Sequence, residues 1–173
     1  MILDGYWKKE LIKNAKELRF WCKFSKIYPH YAEHQVNKNI LYSAIIIRKM
    51  FEDEKGFENY IKKKKHSTTM LRLMEYKASV MVYPFSGDKD FIIECVVPDN
   101  YDLKNIKTIE IELNKLCNQI IHSNVWSVAY AQENNKIKGV LFASDKEKAN
   151  ALYLIKTEEF IKAIEFCIEN GII

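Results

Sequence analysis

Residues 103–126 read LKNIKTIEIELNKLCNQIIHSNVW, and the way this stretch folds decides how the rest of the chain must pack. Ile106, Ile109, Leu113, Cys117 and Ile120 recur at intervals of three and four, the spacing that stacks side chains on one helical face. The pattern predicts a helix from about Leu103 to Ser123, with Asp102 or Asn105 as candidate N-caps. With Leu113 at the centre of the buried face, His122 falls on the opposite side of the wheel, and Lys115 and Asn118 lie within about 40° of it. The three should therefore project together from the outside of the molecule. Histidine is the side chain whose charge changes near neutral pH, and a neighbouring lysine stabilises phosphate or oxyanion charge.

Working outward, three more helices follow from the same periodicity. From about Asp4 to Ser25, Trp7, Leu11, Ala15, Leu18 and Cys22 form an apolar stripe, while Lys8, Lys9, Lys13, Lys16, Arg19 and Lys23 occupy the other side. Such a basic face is usually a solvated exterior, and it is also what tracks phosphates. From about Glu33 to Glu54 the stripe is Val36, Ile40, Ala44, Ile47 and Phe51, with Asn37 and Arg48 at its edge, where an arginine pairs, snorkels or points into a cleft. The last helix begins at Thr157 as cap, turns Phe160, Ile164 and Cys167 inward, and closes at Asn170–Gly171. Residues 67–75 fit helix or strand equally.

Alternation replaces the helical period in two places. KASVMVYPF and DFIIECVVPD flank SGDK, and VWSVAYA and KIKGVLFAS flank QENNK; both read as hairpins, with ALYLI as a further strand. The expected fold is mainly α: one domain over residues 1–173, a four-helix bundle with small antiparallel β-hairpin additions.

The chain has 173 residues, 48% of them apolar, with five Gly and three Pro, which is enough to bury a core and argues against disorder. Its four cysteines (Cys22, Cys95, Cys117 and Cys167) have apolar neighbours and no CxxC spacing, as expected of reduced core thiols in a cytoplasmic protein. MILDGYWKKELIK has no apolar run suited to a signal peptide, and LYSAIIIRKM is too short to span a bilayer, so no membrane partner is expected. A net charge of +4 permits a nucleic-acid partner, and the lysine run 62–65 before His66 is best read as solvated.

NQIIHS at the end of the late helix, then GVLFASD and ALYLIKTEEFIKAIE, with YSAIIIRKMFEDEK in the second helix, resemble the HEPN superfamily of nucleotide-binding α-bundle domains. Many members are metal-independent ribonucleases of toxin–antitoxin and phage-defence systems, acting at a cleft between two copies through an arginine and a histidine. The resemblance implies a homodimer that binds or cleaves RNA without a cofactor, with an antitoxin or other protein as a further candidate partner. His122 matches the histidine; Lys115, followed by Leu116, stands where the arginine is expected. Lysine lacks the planar fork that grips phosphate. The implied catalytic set is then His122 as acid or base, Lys115 or Arg48 as the phosphate cation, and Asn118 to orient the phosphate. The alternative is a non-catalytic interaction or dimerisation domain.

A second pattern is YPHYAEHQ. Its His30, Glu33 and His34 have the spacing of inverted zinc peptidases, with Glu110 or Glu112 as conceivable third ligand, although Pro29 and two tyrosines suggest a packed connection instead. Ser123 beside His122 carries no hydrolase elbow, and no glycine-rich phosphate loop occurs.

Overall fold

The computed structural model describes residues 5–60, 68–87 and 100–170, with side chains at 5–52, 71–87 and 100–170. In chain order the elements are α1 (Gly5–Phe24), α2 (Pro29–Tyr60), α3 (Thr68–Glu75), β1 (Lys77–Pro84), β2 (Lys107–Glu112), α4 (Leu113–Ile121), β3 (Ser123–Tyr130), β4 (Ile137–Ser144), β5 (Ala151–Lys156) and α5 (Thr157–Asn170). The strands form one antiparallel sheet in the order β2-β1-β5-β4-β3.

This corrects the expected mainly α, four-helix bundle with peripheral hairpins. The sheet is the spine of the molecule. Its central strand β5 is apolar and buried from Ala151 to Ile155, as a strand covered on both faces must be. That run pairs with β1 on one side and β4 on the other, which joins segments that local pattern alone divides into separate hairpins. The mainly α bundle that the HEPN resemblance implied is thus not the architecture found.

The decisive stretch splits in two. Lys107–Glu112 pairs with β1 in the register Lys77↔Glu112 to Val82↔Lys107, and the helix begins only at Leu113. The reason is legible once the partner strand is known: KTIEIE alternates, and its β-branched residues fit a pleated edge as well as a helix. Ile106 and Ile109, expected in the core, are 49% and 41% exposed. Leu113, Cys117 and Ile120 are buried as expected. Asp102 caps a turn instead of a helix, its carboxylate accepting from the Lys104 and Asn105 amides.

The other helices keep their expected inner faces. Val36, Ile40, Ala44, Ile47 and Phe51 of α2 are all buried; on α1 Leu11, Ala15 and Leu18 are buried, Cys22 is half-buried and Trp7 is 39% exposed. Pro29 opens α2, one turn earlier than the sequence suggested, where its missing N–H costs nothing. Helix α1 packs along α2 and α5, and α2 along α4. The main core lies between these helices and one sheet face, with a smaller cluster around Tyr83, Leu152 and Leu154 on the other. Buried polar bonds lock the layers: Asn14 donates to Ser43 at 3.0 Å between α1 and α2, and the Ile137 amide donates to Ser25 at 3.0 Å.

The second arm of the first expected hairpin, and the lysine run with His66, lie outside the described residues. Among the described residues no helix is long and apolar enough to cross a membrane.

Candidate functional site

Helix α4 lasts nine residues, and the chain turns at His122 straight into β3. His122 occupies the C-cap, its amide donating to Asn118 O at 3.1 Å, and its ring is exposed on the outside of the fold. A groove of about 460 Å³ opens beside it, with Lys115, Asn118, Gln119 and His122 of the α4 segment on one wall. Ser144, Asp145 and Lys146, at the end of β4 and in the turn after it, form the opposite wall.

Arg48 reaches this site from α2. Its Nη1 lies 3.1 Å from His122 Nε2, and its Nε donates to Glu52 at 2.9 Å. Guanidinium has no acceptor, so the contact requires an unprotonated Nε2 and places the imidazole proton on Nδ1. Of the residues singled out from the sequence, His122, Lys115 and Asn118 line the groove, and Arg48, 74 positions away from the histidine, touches His122 without lining the groove itself.

The electrostatics are mixed. Asp145 accepts from Asn124 and pairs with Lys148, each at 2.8 Å. The Lys148 ammonium foremost, then the Asn124 amide, holds its carboxyl below the usual carboxylate range. Among the described residues Lys115 and Lys146 form no ion pair, which leaves two cations on the groove. The Gln119 Oε1 is buried without a hydrogen-bond partner. Sequence reasoning missed Gln119, Ser144, Asp145 and Lys146; no local signal marks the last three, which only the pairing of β3 with β4 brings beside α4, whereas Gln119 neighbours Asn118 on the same helix.

A second groove, about 350 Å³, adjoins on the other side of α4. Leu41, Ile121 and Trp126 supply an apolar floor, Asn37 contributes a buried Oδ1 without a partner, and His34 and Lys38 line it as well.

The remaining candidates have other employment. Ser123 Oγ donates to Gln119 O at 2.7 Å, so it is tied to its own helix. Burial pushes the Cys167 thiol up to about 12 and Cys117 well above its ordinary value, which removes both as nucleophiles. In the histidine pair, Glu33 accepts from the Tyr130 hydroxyl, and the largely exposed His30 ring lies 4.0 Å from the same carboxylate. Among the described residues no group of three His, Cys, Asp or Glu side chains converges as metal ligands would.

Neither protein-family models, nor curated proteins, nor solved structures show a match to this chain.

Proposed function

We propose that the groove at the α4–β3 turn binds single-stranded RNA and cleaves its phosphodiester without a metal ion. The observation that carries this reading is the 3.1 Å contact between Arg48 and His122 at a groove that also holds Lys115 and Asn118. An incoming phosphate competes for the Arg48 fork, which matches two phosphate oxygens better than one ring nitrogen. Withdrawal of the arginine frees His122 Nε2 to take the proton of a ribose 2′-hydroxyl. The 2′-oxygen attacks phosphorus, the bond to the 5′-oxygen breaks, and that oxygen takes a proton from water. The products are a 2′,3′-cyclic phosphate and a 5′-hydroxyl. Lys115 and Lys146 offset the charge that builds on the phosphoryl oxygens. The adjoining floor of Leu41 and Trp126 offers a face for a base, which favours RNA over a bare phosphate ester. Free thiols at Cys22, Cys117 and Cys167 suit a cytoplasmic setting.

The test is cleavage of a single-stranded RNA in EDTA. The parent should cut and leave a cyclic phosphate, His122→Ala should abolish cutting, and Arg48→Ala should slow it by about 100-fold or more. A His122→Ala variant as fast as the parent ends the assignment.

One observation favours the non-catalytic reading as a homodimer. Leu41, Tyr42 and Ile45 stand exposed side by side on α2. On that reading the protein sediments as a dimer, Ile45→Glu returns it to a monomer, and RNA is neither bound nor cut.

A further inference from the structure

At the far end of β4 from His122 lies another groove, of about 420 Å³, built from three separate segments. Arg19 and Lys23 come from the end of α1, Lys136 from just before β4 and Lys138 from its start, and Lys156 and Thr157 from the junction of β5 with α5. Five cations thus face a single lining carboxylate, Glu158. Arg19 is also engaged by Glu165, but Lys23, Lys136, Lys138 and Lys156 form no ion pair among the described residues.

Crowding lysines in this way is unfavourable without an anion, and the backbone adds to the positive field. Helix α5 runs for 14 residues, and its first-turn N–H groups have no acceptor within the helix. Glu158 and Glu159 sit in that turn, yet neither accepts from Thr157. Thr157 was expected to cap the helix. Instead it is only 3% exposed, lines the groove, and leaves its Oγ1 without a hydrogen-bond partner. The neighbouring Cys22 thiol interacts with it only weakly, sulfur being a poor hydrogen-bond group. A buried hydroxyl with no oxygen or nitrogen partner is unfavourable, and an acceptor oxygen brought to it relieves that cost.

We propose that this groove is a phosphate-binding site, in which the Thr157 hydroxyl and the first-turn amides of α5 hold phosphoryl oxygens while Lys138, Lys156 and Lys23 neutralise them. The chemistry is that of a phosphate or diphosphate group, carried by a small phosphorylated molecule or by a nucleic-acid backbone. The site is separate from the Arg48–His122 groove: the eight residues of β4 span roughly 24 Å at about 3.4 Å per residue. It stands whether or not that groove cleaves RNA.

Amide NMR titration of the full chain with sodium pyrophosphate, and in parallel with a short single-stranded oligouridylate, tests it. The expected result is saturable shifts at Lys138, Lys156, Thr157 and Glu158. Pyrophosphate doing so marks a small phosphorylated ligand as sufficient; the oligonucleotide alone doing so assigns the phosphates to nucleic acid. Lys138→Gln with Lys156→Gln, both at exposed positions, should weaken binding about 100-fold, and the near-isosteric Thr157→Val about tenfold. Pyrophosphate affinity should be unchanged in His122→Ala. Absence of saturable shifts at these amides with either probe overturns the site, as does parental affinity in the double-glutamine variant.

Discussion

Gly139→Ala separates the sheet described here from a bundle with a loose hairpin by the sign of its effect. A Cβ at Gly139 would lie 2.2 Å from the Ile155 carbonyl oxygen, 3.0 Å from its carbon and 3.1 Å from Leu154 Cδ1. Carbon–oxygen contacts between strands sit at about 3.3–3.6 Å, so β4 and β5 must part by about 1 Å. Backbone cannot swing aside as a side-chain tip does. The rungs Gly139↔Lys156 and Val140↔Ile155 would open, which removes one or two backbone hydrogen bonds worth about 1 kcal/mol each. Strain in the packed core adds about 1–3 kcal/mol. Gly139 has no positive φ, so alanine meets no backbone objection of its own and lowers the entropy of the unfolded chain, a gain of about 0.4–1 kcal/mol. The net expectation is a loss of about 2–4 kcal/mol, seen as a midpoint roughly 5–15 °C lower in a thermal melt followed by circular dichroism. A variant as stable as the parent, or more stable, would show that the close approach of β4 to β5 does not exist.

Three further outcomes follow from particular contacts. Ile109→Asp, at an exposed edge position, should cost under about 1 kcal/mol, whereas Ile111→Asp, buried two residues later, should cost at least about 3 kcal/mol; urea melts showing equal losses would restore a helix through residue 109. Ser43→Ala strips the buried Asn14 amide of its acceptor and should cost about 1–3 kcal/mol, with a double-mutant cycle against Asn14→Ala recovering most of it. Burial foremost, helped by Glu159 for Tyr76 and by Glu33 for Tyr130, pushes both hydroxyls up to about 12. An unfolded tyrosine ionises near about 10. The native state therefore holds two protons that the unfolded chain releases, and this stabilisation, complete below about pH 10, is lost as pH rises toward about 12. Phenolate absorbance should show two late-titrating groups, and Tyr76→Phe with Tyr130→Phe should flatten the alkaline fall in stability; two ordinary tyrosines in that titration would contradict the environment described.

What could be read from the sequence was whatever its neighbours in sequence determine. The α2 stripe from Val36 to Phe51, the α5 stripe from Phe160 to Cys167 and the β3–β4 hairpin each follow from a period within one segment. The stretch 103–126 failed because Ile109, Ile111 and Leu113 satisfy period two while Ile106, Ile109 and Leu113 satisfy the helical one. The hydrogen bonds of β1, far off in sequence, decide between them. Arg48 was placed at the boundary of its helix face, and from there its fork reaches His122, so half of that contact was foreseeable. The other wall of the groove was not, since Ser144 to Lys146 arrive through the pairing of β3 with β4. Thr157 shows the opposite failure: the sequence position of a cap is right, but its hydroxyl caps no amide and stays buried beside the cationic groove.

The correction to the fold also supplies the site. A helix running unbroken from Leu103 to Ser123 would carry His122 to the tip of a long rod, with nothing fixed to oppose it. Breaking the stretch at Glu112 shortens the helix to nine residues and seats its start on the sheet through Leu113, which is fully buried. The turn at His122 then feeds directly into β3, whose first rung pairs Ser123 with Ser144. That rung holds the β4 turn against the end of α4, and it sets Lys146 and Asp145 opposite Lys115 and Asn118. Meanwhile α2, packed along α4, delivers Arg48 to the imidazole from the remaining side. Three elements that no single sequence period connects are thus fixed around one ring. Loss of the Ser123–Ser144 rung should therefore loosen the groove while leaving the helical core intact. On the proposed reading, Val125→Pro, which cannot donate in the ladder and sits one bulge further along β3, should weaken RNA binding at least about tenfold while the helical circular dichroism signal still melts within about 5 °C of the parent. A melting midpoint that collapses together with binding would mean that the site and the core stand or fall together, and that the strand does not act as a separate brace.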